Sequence, residues 1–321
     1  MIQPSFFDDP KPEQPTRLGH AEISYRPFSS IITKASGFVD SYDYTINPYS
    51  GCSFGCTYCY AAFFSRDAEK IANWGYWVEV KENALENLRK KRRKPFRGAK
   101  IYLSTVTDPY QPIERKLELT RDLLRELLDY HDVRLVIQTR SPLVTRDIDI
   151  LLQFPVVQVN MTVTTDSERV RRAFEPLCPS NKVRLKAIRE LQEAGVQSCI
   201  TITPLLPVEN PEKFAQDIRN TGISRFIIQP FHRGKGRFVK GTRAAATEIL
   251  DEFKWGDQEY QRVLKIFQKY IPSIGVGQEG FKAILLDKAK IQRQHRTFGN
   301  HYKSERCCYR CSTKLQHKTQ T

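Results

Sequence analysis

The chain has 321 residues, of which 40% are hydrophobic and 27% charged, and 51 lysines and arginines against 36 acidic residues give a formal net charge of +15. This composition is close to the globular average and excludes collagen-like and disordered classes, and no run approaches the roughly 18 apolar residues of a membrane helix. The N-terminus carries acidic residues and prolines where a signal peptide needs a basic start and an apolar run, so we expect a cytoplasmic protein without a membrane partner.

Residues 1–40 are rich in proline and polar side chains and predict an N-terminal arm. Short β-branched runs then alternate with amphipathic stretches, which is typical of a parallel sheet covered by helices. Six strands are predicted: 42–46, 100–106, 134–139, 156–165, 198–205 and 225–229. The intervening helices are 120–130, 145–153, 181–194 and 211–220. Because a closed barrel of this type needs eight strands, the pattern predicts an open or partial (β/α) barrel.

Three cysteines follow the first predicted strand in the sequence NPYSGCSFGCTYCY, where Cys52, Cys56 and Cys59 stand at C-x3-C-x2-C. Eight cysteines in a cytoplasmic chain favour metal or redox chemistry over a disulfide framework. Three thiolates from one loop can hold three irons of a [4Fe–4S] cluster, and Gly51 and Gly55 let the backbone fold around it. The fourth iron then lacks a protein ligand, which predicts that a substrate or cofactor binds it.

The excess positive charge is concentrated in two segments. Residues 81–100 contain nine basic side chains against two acidic ones, and residues 287–321 contain the same numbers. A smaller basic cluster occupies residues 232–240. Clustered lysine and arginine predict a nucleic acid or another polyanion as partner, because each neutralised phosphate releases counterions. A merely solvated basic face remains the alternative.

The alternation of strands and helices stops after about residue 241. Residues 242–270 predict one or two polar amphipathic helices, and residues 236–321 as a whole predict a helical and basic C-terminal extension. Its tail contains three further cysteines: Cys307, Cys308 and Cys311. They favour a second metal site, either an iron–sulfur cluster or zinc with His301 or His317, although exposed reactive thiols fit the same pattern. Cys178 and Cys199 are predicted to be ordinary buried cysteines.

The cysteine loop, with Tyr58 just before its third cysteine, resembles the radical S-adenosylmethionine superfamily. Its surroundings, NPYSGCSFGCTYCYA, are similar to the branch that contains spore photoproduct lyase. The resemblance continues in order through STVTDPYQP, TRS and FEP, and through AGV leading into TPLLP, and it covers roughly residues 41–235.

The resemblance implies an α/β fold with a partial (β/α)6 barrel over 41–235 and a [4Fe–4S] cluster on Cys52, Cys56 and Cys59. S-adenosylmethionine would bind the open iron, and an electron from a donor such as a flavodoxin or ferredoxin would yield a 5′-deoxyadenosyl radical that abstracts a hydrogen atom from substrate. The resemblance therefore implies a radical enzyme of the lyase type, or of a related type, whose substrate is not specified. The candidate cofactor-binding residues are Tyr58, near the adenine, together with Thr107, Arg140 and Thr162.

One departure from that branch concerns the activity. Spore photoproduct lyase returns a hydrogen atom from a cysteine on the second strand, at a position that aligns near Thr105. The O–H bond of a threonine is too strong for the same role. We therefore expect this chain not to repair spore photoproduct by that route.

Other conspicuous residues have plainer interpretations. Asp108 is expected to hydrogen-bond its own loop. Glu175, before Pro176, is expected to end a helix and to pair with a basic residue such as Arg184. Residues 275–280, GVGQEG, lack the lysine and the setting of a phosphate loop and predict a turn.

Three functions fit the sequence. The first is a radical enzyme that acts on a nucleic acid or nucleotide, and the second is the same chemistry on a peptide or small metabolite. The third is a non-enzymatic iron–sulfur or zinc module that binds nucleic acid. The three-cysteine loop argues against the module, because a structural metal site normally closes its coordination shell.

Overall fold

The computed structural model of the chain describes residues 14–232 and 244–283. Contacts divide the chain into two units between Lys282 and Ala283, and the strands and helices of the described residues all belong to the first unit. The C-terminal cysteines and histidines, the basic segment 287–321 and most of the basic cluster 232–240 lie outside the described residues.

The described residues form twelve strands, of which eight, β3, β4 and β7 to β12, make up the large sheet at the core of the fold. The strands are β1 (Arg17–Leu18), β2 (Ala21–Arg26), β3 (Ile32–Lys34), β4 (Tyr44–Ile46), β5 (Tyr49–Gly51), β6 (Trp77–Lys81), β7 (Ala99–Leu103), β8 (Val133–Thr139), β9 (Val156–Thr162), β10 (Ser198–Ile202), β11 (Arg225–Ile228) and β12 (Gly275–Val276). In the large sheet β4, β7, β8, β9, β10 and β11 run parallel as successive neighbours. The six predicted strands and the partial (β/α)6 barrel are therefore confirmed.

The described residues form eleven α-helices, which separate most of the strands along the chain. They are α1 (Ala68–Ala72), α2 (Ala84–Arg89), α3 (Glu114–Leu117), α4 (Leu119–Tyr130), α5 (Ile148–Leu151), α6 (Glu168–Phe174), α7 (Asn181–Glu193), α8 (Pro211–Arg219), α9 (Ala244–Glu252), α10 (Asp257–Tyr270) and α11 (Gly277–Gly280). The α7 helix begins where the Ser180 hydroxyl accepts a hydrogen bond from Val183 N, and it is followed by Gly195 at φ +92°. A serine cap at the first turn and a glycine after the last turn are common at helix ends. Both ends of α7 lie within one residue of the predicted ends.

Some elements differ from the prediction. Residues 275–280, predicted as a turn, form β12 and α11, and β12 pairs in parallel with β11. The strand predicted to reach residue 106 ends at Leu103, because Ser104 adopts a left-handed conformation at φ +70°. The stretch 145–153 divides into a 3₁₀ turn over Pro142–Asp147 and the short α5.

The sequence did not predict a second, four-stranded sheet, in which β2 and β6 run parallel between β1 and β5. Its strands β1 and β2 belong to the segment 1–40, for which the composition predicts only an arm. Because β5 directly precedes the cysteine loop and pairs with β6, this sheet fixes the start of the loop.

The two faces of the central strands have different chemistry, since successive side chains of a strand point to opposite sides. On β9, Val157, Val159 and Met161 join the apolar core with the helices. The opposite face carries Gln158, Asn160 and Thr162, which are equally buried but polar. The barrel interior therefore contains a layer of hydrogen-bonding side chains.

The two ends of the large sheet meet. Gln278 Nε2, on α11, donates to Gly37 O and to Asp40 Oδ2, both at 3.0 Å. The rings of Phe38 and His232 pack with centroids 5.9 Å apart. These contacts join the segment before β4 to the segments that follow β11 and β12. In the part of the chain that the structure describes, no helix is long and apolar enough to cross a membrane.

Candidate active site

The three cysteines of the loop lie directly after β5, at the carboxyl end of the parallel strands. Cys52 and Cys56 are buried, Cys59 is partly exposed, and none of them is in a disulfide. Three cysteines outside any disulfide on one short segment are the donor set that the sequence predicted.

Two glycines give the loop its shape. Gly51 has φ +74°, and a Cβ there would lie 2.6 Å from the ring of Trp77. Gly55 has φ +55°, and a Cβ there would lie 3.0 Å from Gly75 Cα. Any other residue would be strained in backbone conformation and would collide with its neighbours. The loop therefore requires glycine at both positions.

Contacts from three distant segments hold the loop. The Thr107 hydroxyl, beyond the end of β7, donates to Gly51 O at 2.6 Å. The Gln111 side chain accepts from Ser53 N at 3.0 Å. Thr57 N donates to Phe174 O at 2.9 Å, at the end of α6. The candidate Thr107 thus lies against the backbone of the cysteine loop.

Tyr58 and Arg140, the second and third candidates, meet at a buried carboxylate. The Tyr58 hydroxyl donates to Glu175 Oε1, and Arg140 Nη2 donates to the Tyr58 hydroxyl at 3.1 Å. Arg184 forms an ion pair with Glu175 Oε2 at 2.6 Å, and both side chains are fully buried. The Thr164 hydroxyl also donates to Glu175, at 3.0 Å. The predicted pairing of Glu175 with Arg184 is confirmed.

The charges of the two arginines determine the protonation states of Glu175 and Tyr58. Burial alone would raise the pKa of Glu175, but the charges of Arg184 and Arg140 and the hydrogen bond from Tyr58 lower it to about 2. Burial raises the pKa of the Tyr58 hydroxyl well above its usual value. At neutral pH the group therefore contains one carboxylate shared by two arginines, and a neutral phenol that donates to it.

Asp108 positions Arg140 from the other side. It accepts hydrogen bonds from Tyr110 N at 2.9 Å, from the Thr139 hydroxyl at 2.7 Å and from Arg140 N at 2.7 Å. The predicted bond within its own loop is present, and the other two tie the end of β7 to the end of β8. Burial raises the pKa of Asp108, and these hydrogen bonds oppose that rise.

Thr162, the fourth candidate, lies in the polar layer of the barrel. Its hydroxyl contacts Gln138 Nε2 at 2.6 Å and the Thr201 hydroxyl at 3.0 Å. Only its backbone reaches the buried charges, since Thr162 O accepts from Arg184 Nη1 at 3.2 Å. The structure therefore brings Tyr58, Arg140 and the cysteine loop together and places the Thr162 hydroxyl outside that group.

Cys178 was predicted to be an ordinary buried cysteine, and it is buried, but its neighbour is a candidate iron ligand. Its Sγ lies 3.6 Å from Cys56 Sγ and 3.7 Å from Phe54 O. The hydrogen bond with Cys178 lowers the pKa of the Cys56 thiol, whereas burial raises the pKa of Cys178. Either sulfur can donate in this contact, and Cys178 becomes its donor when Cys56 is a thiolate.

Cys199, the other cysteine predicted to be ordinary, faces the barrel interior on β10. It shares that face with Thr201 and has Arg225 beside it, rather than packing among the apolar side chains under the helices. Burial raises the pKa of its thiol to about 12.

Two positioning residues were missed. Asn47 Oδ1 accepts from Thr105 N at 3.0 Å and from Val106 N at 3.2 Å, which fixes the turn after β7. The Tyr60 hydroxyl donates to Thr105 O at 2.5 Å. The signal for both was their place in the motif around the cysteines, NPYSGCSFGCTYCY.

The donor set can be tested against the cluster that the sequence implies. Among the described side chains, no three of histidine, cysteine, aspartate or glutamate converge on a single metal ion. A [4Fe–4S] cluster does not need such convergence, because each thiolate binds a different iron. Three cysteines outside any disulfide, on a loop shaped by two glycines, fit a cluster of this kind and do not fit a single zinc ion.

Comparison with known proteins gives a consistent result. The family model described as Radical SAM superfamily matches residues 46–220. An uncharacterized protein of Methanocaldococcus jannaschii is 38% identical over 166 residues, which are 51% of this chain and 61% of that protein. The radical SAM Nα-GlyT isomerase of Pseudomonas phage M6 is 25% identical over 161 residues, which are 50% of this chain and 32% of that protein.

A solved structure adds evidence on the fold. A variant of spore photoproduct lyase with bound AdoMet and dinucleoside spore photoproduct has a TM-score of 0.57 to this chain. The match covers 79% of this chain and 81% of that protein at 18% identity, so it concerns the fold alone. The chain spans less than two thirds of the length of the curated relatives it matches. With more than half of its residues matched by the family model, the chain belongs to the Radical SAM superfamily, which implies a [4Fe–4S] cluster and S-adenosylmethionine.

Proposed function

We propose that this protein is a radical S-adenosylmethionine enzyme that abstracts a hydrogen atom from a nucleic acid or nucleotide. The observation that carries the proposal is the position of the C-x3-C-x2-C loop at the carboxyl end of the sheet, beside the Tyr58–Arg140–Glu175 group. When bound, the cluster and S-adenosylmethionine would supply a 5′-deoxyadenosyl radical. A flavodoxin or ferredoxin is the proposed class of electron donor.

The residues of the chain would divide the binding work. Cys52, Cys56 and Cys59 would hold three irons. Arg140 is the candidate for the cofactor carboxylate, because its side chain is 21% exposed and it shares Glu175 with the fully buried Arg184. Because one carboxylate, Glu175, neutralises only part of the charge of two arginines, Arg140 can still attract a further anion.

Tyr58 would pack beside the adenine of the cofactor. Its ring is held between Phe174 and Phe231, with centroid distances of 6.4 and 6.3 Å, and its hydroxyl is fixed by Glu175. The proposed role of Thr107 is to hold the loop through Gly51 O. Thr162 would act from the polar layer, where its hydroxyl contacts Gln138 and Thr201.

Charge and relatives support the substrate class. In the segment 81–100 most of the basic side chains are exposed, and Arg93, Lys94 and Arg97 have no carboxylate partner among the described residues. The spore photoproduct lyase variant of similar fold binds a dinucleoside, which is a nucleic-acid fragment. Exposed clustered cations beside a fold of this kind favour a polyanionic substrate over a neutral metabolite. Repair of spore photoproduct itself is not proposed, since Thr105 stands near the place of that enzyme's hydrogen donor.

Production of 5′-deoxyadenosine tests the proposal. Anaerobically reconstituted protein is incubated with S-adenosylmethionine and dithionite, and 5′-deoxyadenosine and methionine are measured with and without single-stranded DNA or RNA. We expect 5′-deoxyadenosine in the wild type and a higher yield with nucleic acid. Protein that contains about four irons and forms no 5′-deoxyadenosine would instead be a non-enzymatic iron–sulfur module.

A further inference from the structure

A pocket of about 550 Å³ opens beside the cysteine loop, where the four-stranded sheet meets α1. We call it the side pocket. Its walls include Arg26, Phe28, Phe64, Arg66, Lys70 and Trp77. Gly51 also lines it and immediately precedes Cys52, so the pocket shares a wall with the candidate cluster site.

A buried carboxylate, that of Glu79, holds two cations of the side pocket in place. Glu79, with a side chain only 7% exposed, pairs with Arg26 at 2.7 Å and with Lys70 at 2.5 Å. The side chains of Arg26 and Lys70 are themselves 54% and 34% exposed. The buried carboxylate therefore orients two cations and leaves their outer donors to solvent.

The remaining charges of the walls add to this positive surface. Arg66 is exposed and has no carboxylate within ion-pair distance in the part of the chain that the structure describes. Asp67 accepts hydrogen bonds from Glu69 N and Lys70 N as the cap of α1. Its charge is thus directed into the first turn of the helix rather than toward Arg66.

Phe64 offers an accessible aromatic face in the pocket, since its exposed fraction of 58% is the largest among the described large hydrophobic residues. The Phe28 ring is half-buried, and it lies 4.7 Å from the Arg26 guanidinium carbon and 4.9 Å from the Lys81 ammonium. The backbone of Phe28 is fixed by hydrogen bonds with the side chains of Asn83 and Asn87. The Lys70 ammonium lies 5.1 Å from the ring centroid of Trp77. Exposed rings interleaved with cations are the pattern of single-strand nucleic-acid surfaces, where bases stack and phosphates are neutralised.

The pocket is tied to the basic segment through Phe28. Asn83 and Asn87, which hold the Phe28 backbone, lie at the start and on the body of α2, and α2 leads into the basic residues 89–94. Arg89 and Arg92 pair with Glu126. Beyond them in the chain, Arg93, Lys94 and Arg97 are exposed and add further positive charge to this segment.

We propose that the side pocket binds an unpaired nucleotide of a single-stranded nucleic-acid substrate, with the base on Phe64 and the phosphates on Arg26, Arg66 and Lys70. The inference rests on the proposed function, because it presumes that nucleic acid is the substrate. An acidic peptide would satisfy the cations but not the aromatic faces. A duplex keeps its bases stacked within itself and would use the cations alone.

Two exposed substitutions test the pocket. Phe64→Ala removes a stacking face, and Arg66→Glu reverses a charge that has no internal partner. The matched controls are Leu152→Ala and Arg125→Glu, which change exposed residues of the same kinds on other elements. Fluorescence anisotropy on the anaerobically reconstituted holoprotein compares labelled oligo(dT), oligo(U), a duplex of equal length and a polyglutamate peptide.

For single strands of DNA or RNA we expect each pocket variant to bind about tenfold or more weakly than wild type at ~0.1 M salt, with the controls unchanged. Arg66→Glu should also reduce the slope of log K against log salt by about one or more. Wild-type protein should prefer single strands to the duplex and to polyglutamate. Equal binding by variants and controls, or equal affinity for duplex or polyglutamate, would overturn the inference.

The same preparations separate this inference from the proposed function. Release of 5′-deoxyadenosine in the absence of nucleic acid reports the cofactor chemistry and does not require the side pocket. If wild type binds single strands through Phe64 and Arg66 but forms no 5′-deoxyadenosine, the radical chemistry fails and the binding site stands. If it forms 5′-deoxyadenosine while Phe64→Ala and Arg66→Glu bind strands as wild type does, the pocket fails and the enzyme stands.

Discussion

The cysteine-loop region and the side pocket share a wall at Gly51 but handle charge in opposite ways. Around the cysteine loop, Glu175 and Arg184 have no exposed surface and their charges are compensated internally. In the side pocket a buried carboxylate holds two cations whose outer surfaces remain in water. The first arrangement is suited to a group that stays bound, and the second to a ligand that comes and goes.

The difference has an energetic basis. A buried charge is stabilised by its ion-pair partner instead of by water. Removing one member of a buried pair therefore lowers the free energy of unfolding by about 3–5 kcal/mol. An exposed ion pair contributes about 0–1 kcal/mol, so the same change at the surface leaves the fold intact. Substitutions in the cysteine-loop region should therefore reduce cluster retention and the stability of the fold. Substitutions in the side pocket should reduce ligand binding alone.

The largest effect is expected from the loop itself. Cys56→Ala removes one of three proposed iron ligands, so iron in the anaerobic protein should fall from about four per chain to near zero, with complete loss of 5′-deoxyadenosine. Cys199→Ala, which removes a buried thiol elsewhere, should retain the iron. Iron and labile-sulfide assays decide the point, and full iron content in Cys56→Ala would show that this thiol is no ligand.

The next effect concerns the buried charges. Glu175→Gln leaves Arg184 and Arg140 without their shared anion and should lower the free energy of unfolding by about 3–5 kcal/mol. The matched control Glu86→Gln breaks an exposed pair with Lys90 and should change it by less than about 1 kcal/mol. Urea unfolding followed by circular dichroism measures both. Equal stability of the two variants would contradict this difference between buried and exposed charges.

A smaller effect is expected at Cys178, whose Sγ lies 3.6 Å from Sγ of the candidate ligand Cys56 and would donate to it once Cys56 is a thiolate. A hydrogen bond to a ligating sulfur favours the reduced cluster, so Cys178→Ala should lower the midpoint potential. One bond of about 0.5–1.5 kcal/mol corresponds to about 20–60 mV for one electron. Redox titration monitored by electron paramagnetic resonance gives the value, with Cys199→Ala as control. An unchanged potential would mean that the two thiols do not interact in the holoprotein.

The smallest effect is a pH dependence at the side pocket. Burial lowers the pKa of Lys81, beside Phe28, to about 8; the charge of Glu79 opposes this shift and that of Arg26 adds to it. Lys81 is therefore charged below this pH and neutral above it. Single-strand affinity should fall about two- to fivefold between pH 7 and pH 9. Lys81→Arg stays charged over this range and should flatten the profile; a wild-type profile that is already flat would exclude Lys81 from binding.

The sequence predicted what is local and missed what the topology brings together. The barrel strands are short apolar runs that alternate with amphipathic stretches, and C-x3-C-x2-C lies within eight residues, so both could be predicted. The second sheet lacks this alternation, because β1 and β5 have two and three residues and β2 pairs with β6 across the cysteine loop that lies between them in the chain. Cys178 and Cys56 are 122 positions apart and Tyr58 and Glu175 are 117 apart, so only the packing of α6 against the loop reveals these pairs.

Hydrogen abstraction from nucleic acid by a radical formed at the cysteine loop can be followed directly as deuterium transfer. Reconstituted protein is given S-adenosylmethionine, dithionite and a single-stranded oligonucleotide deuterated throughout its sugars and bases. We expect 5′-deoxyadenosine that carries deuterium by mass spectrometry, and none from the Cys56→Ala protein. Release of 5′-deoxyadenosine without deuterium, while the strand is bound, would contradict the proposed function.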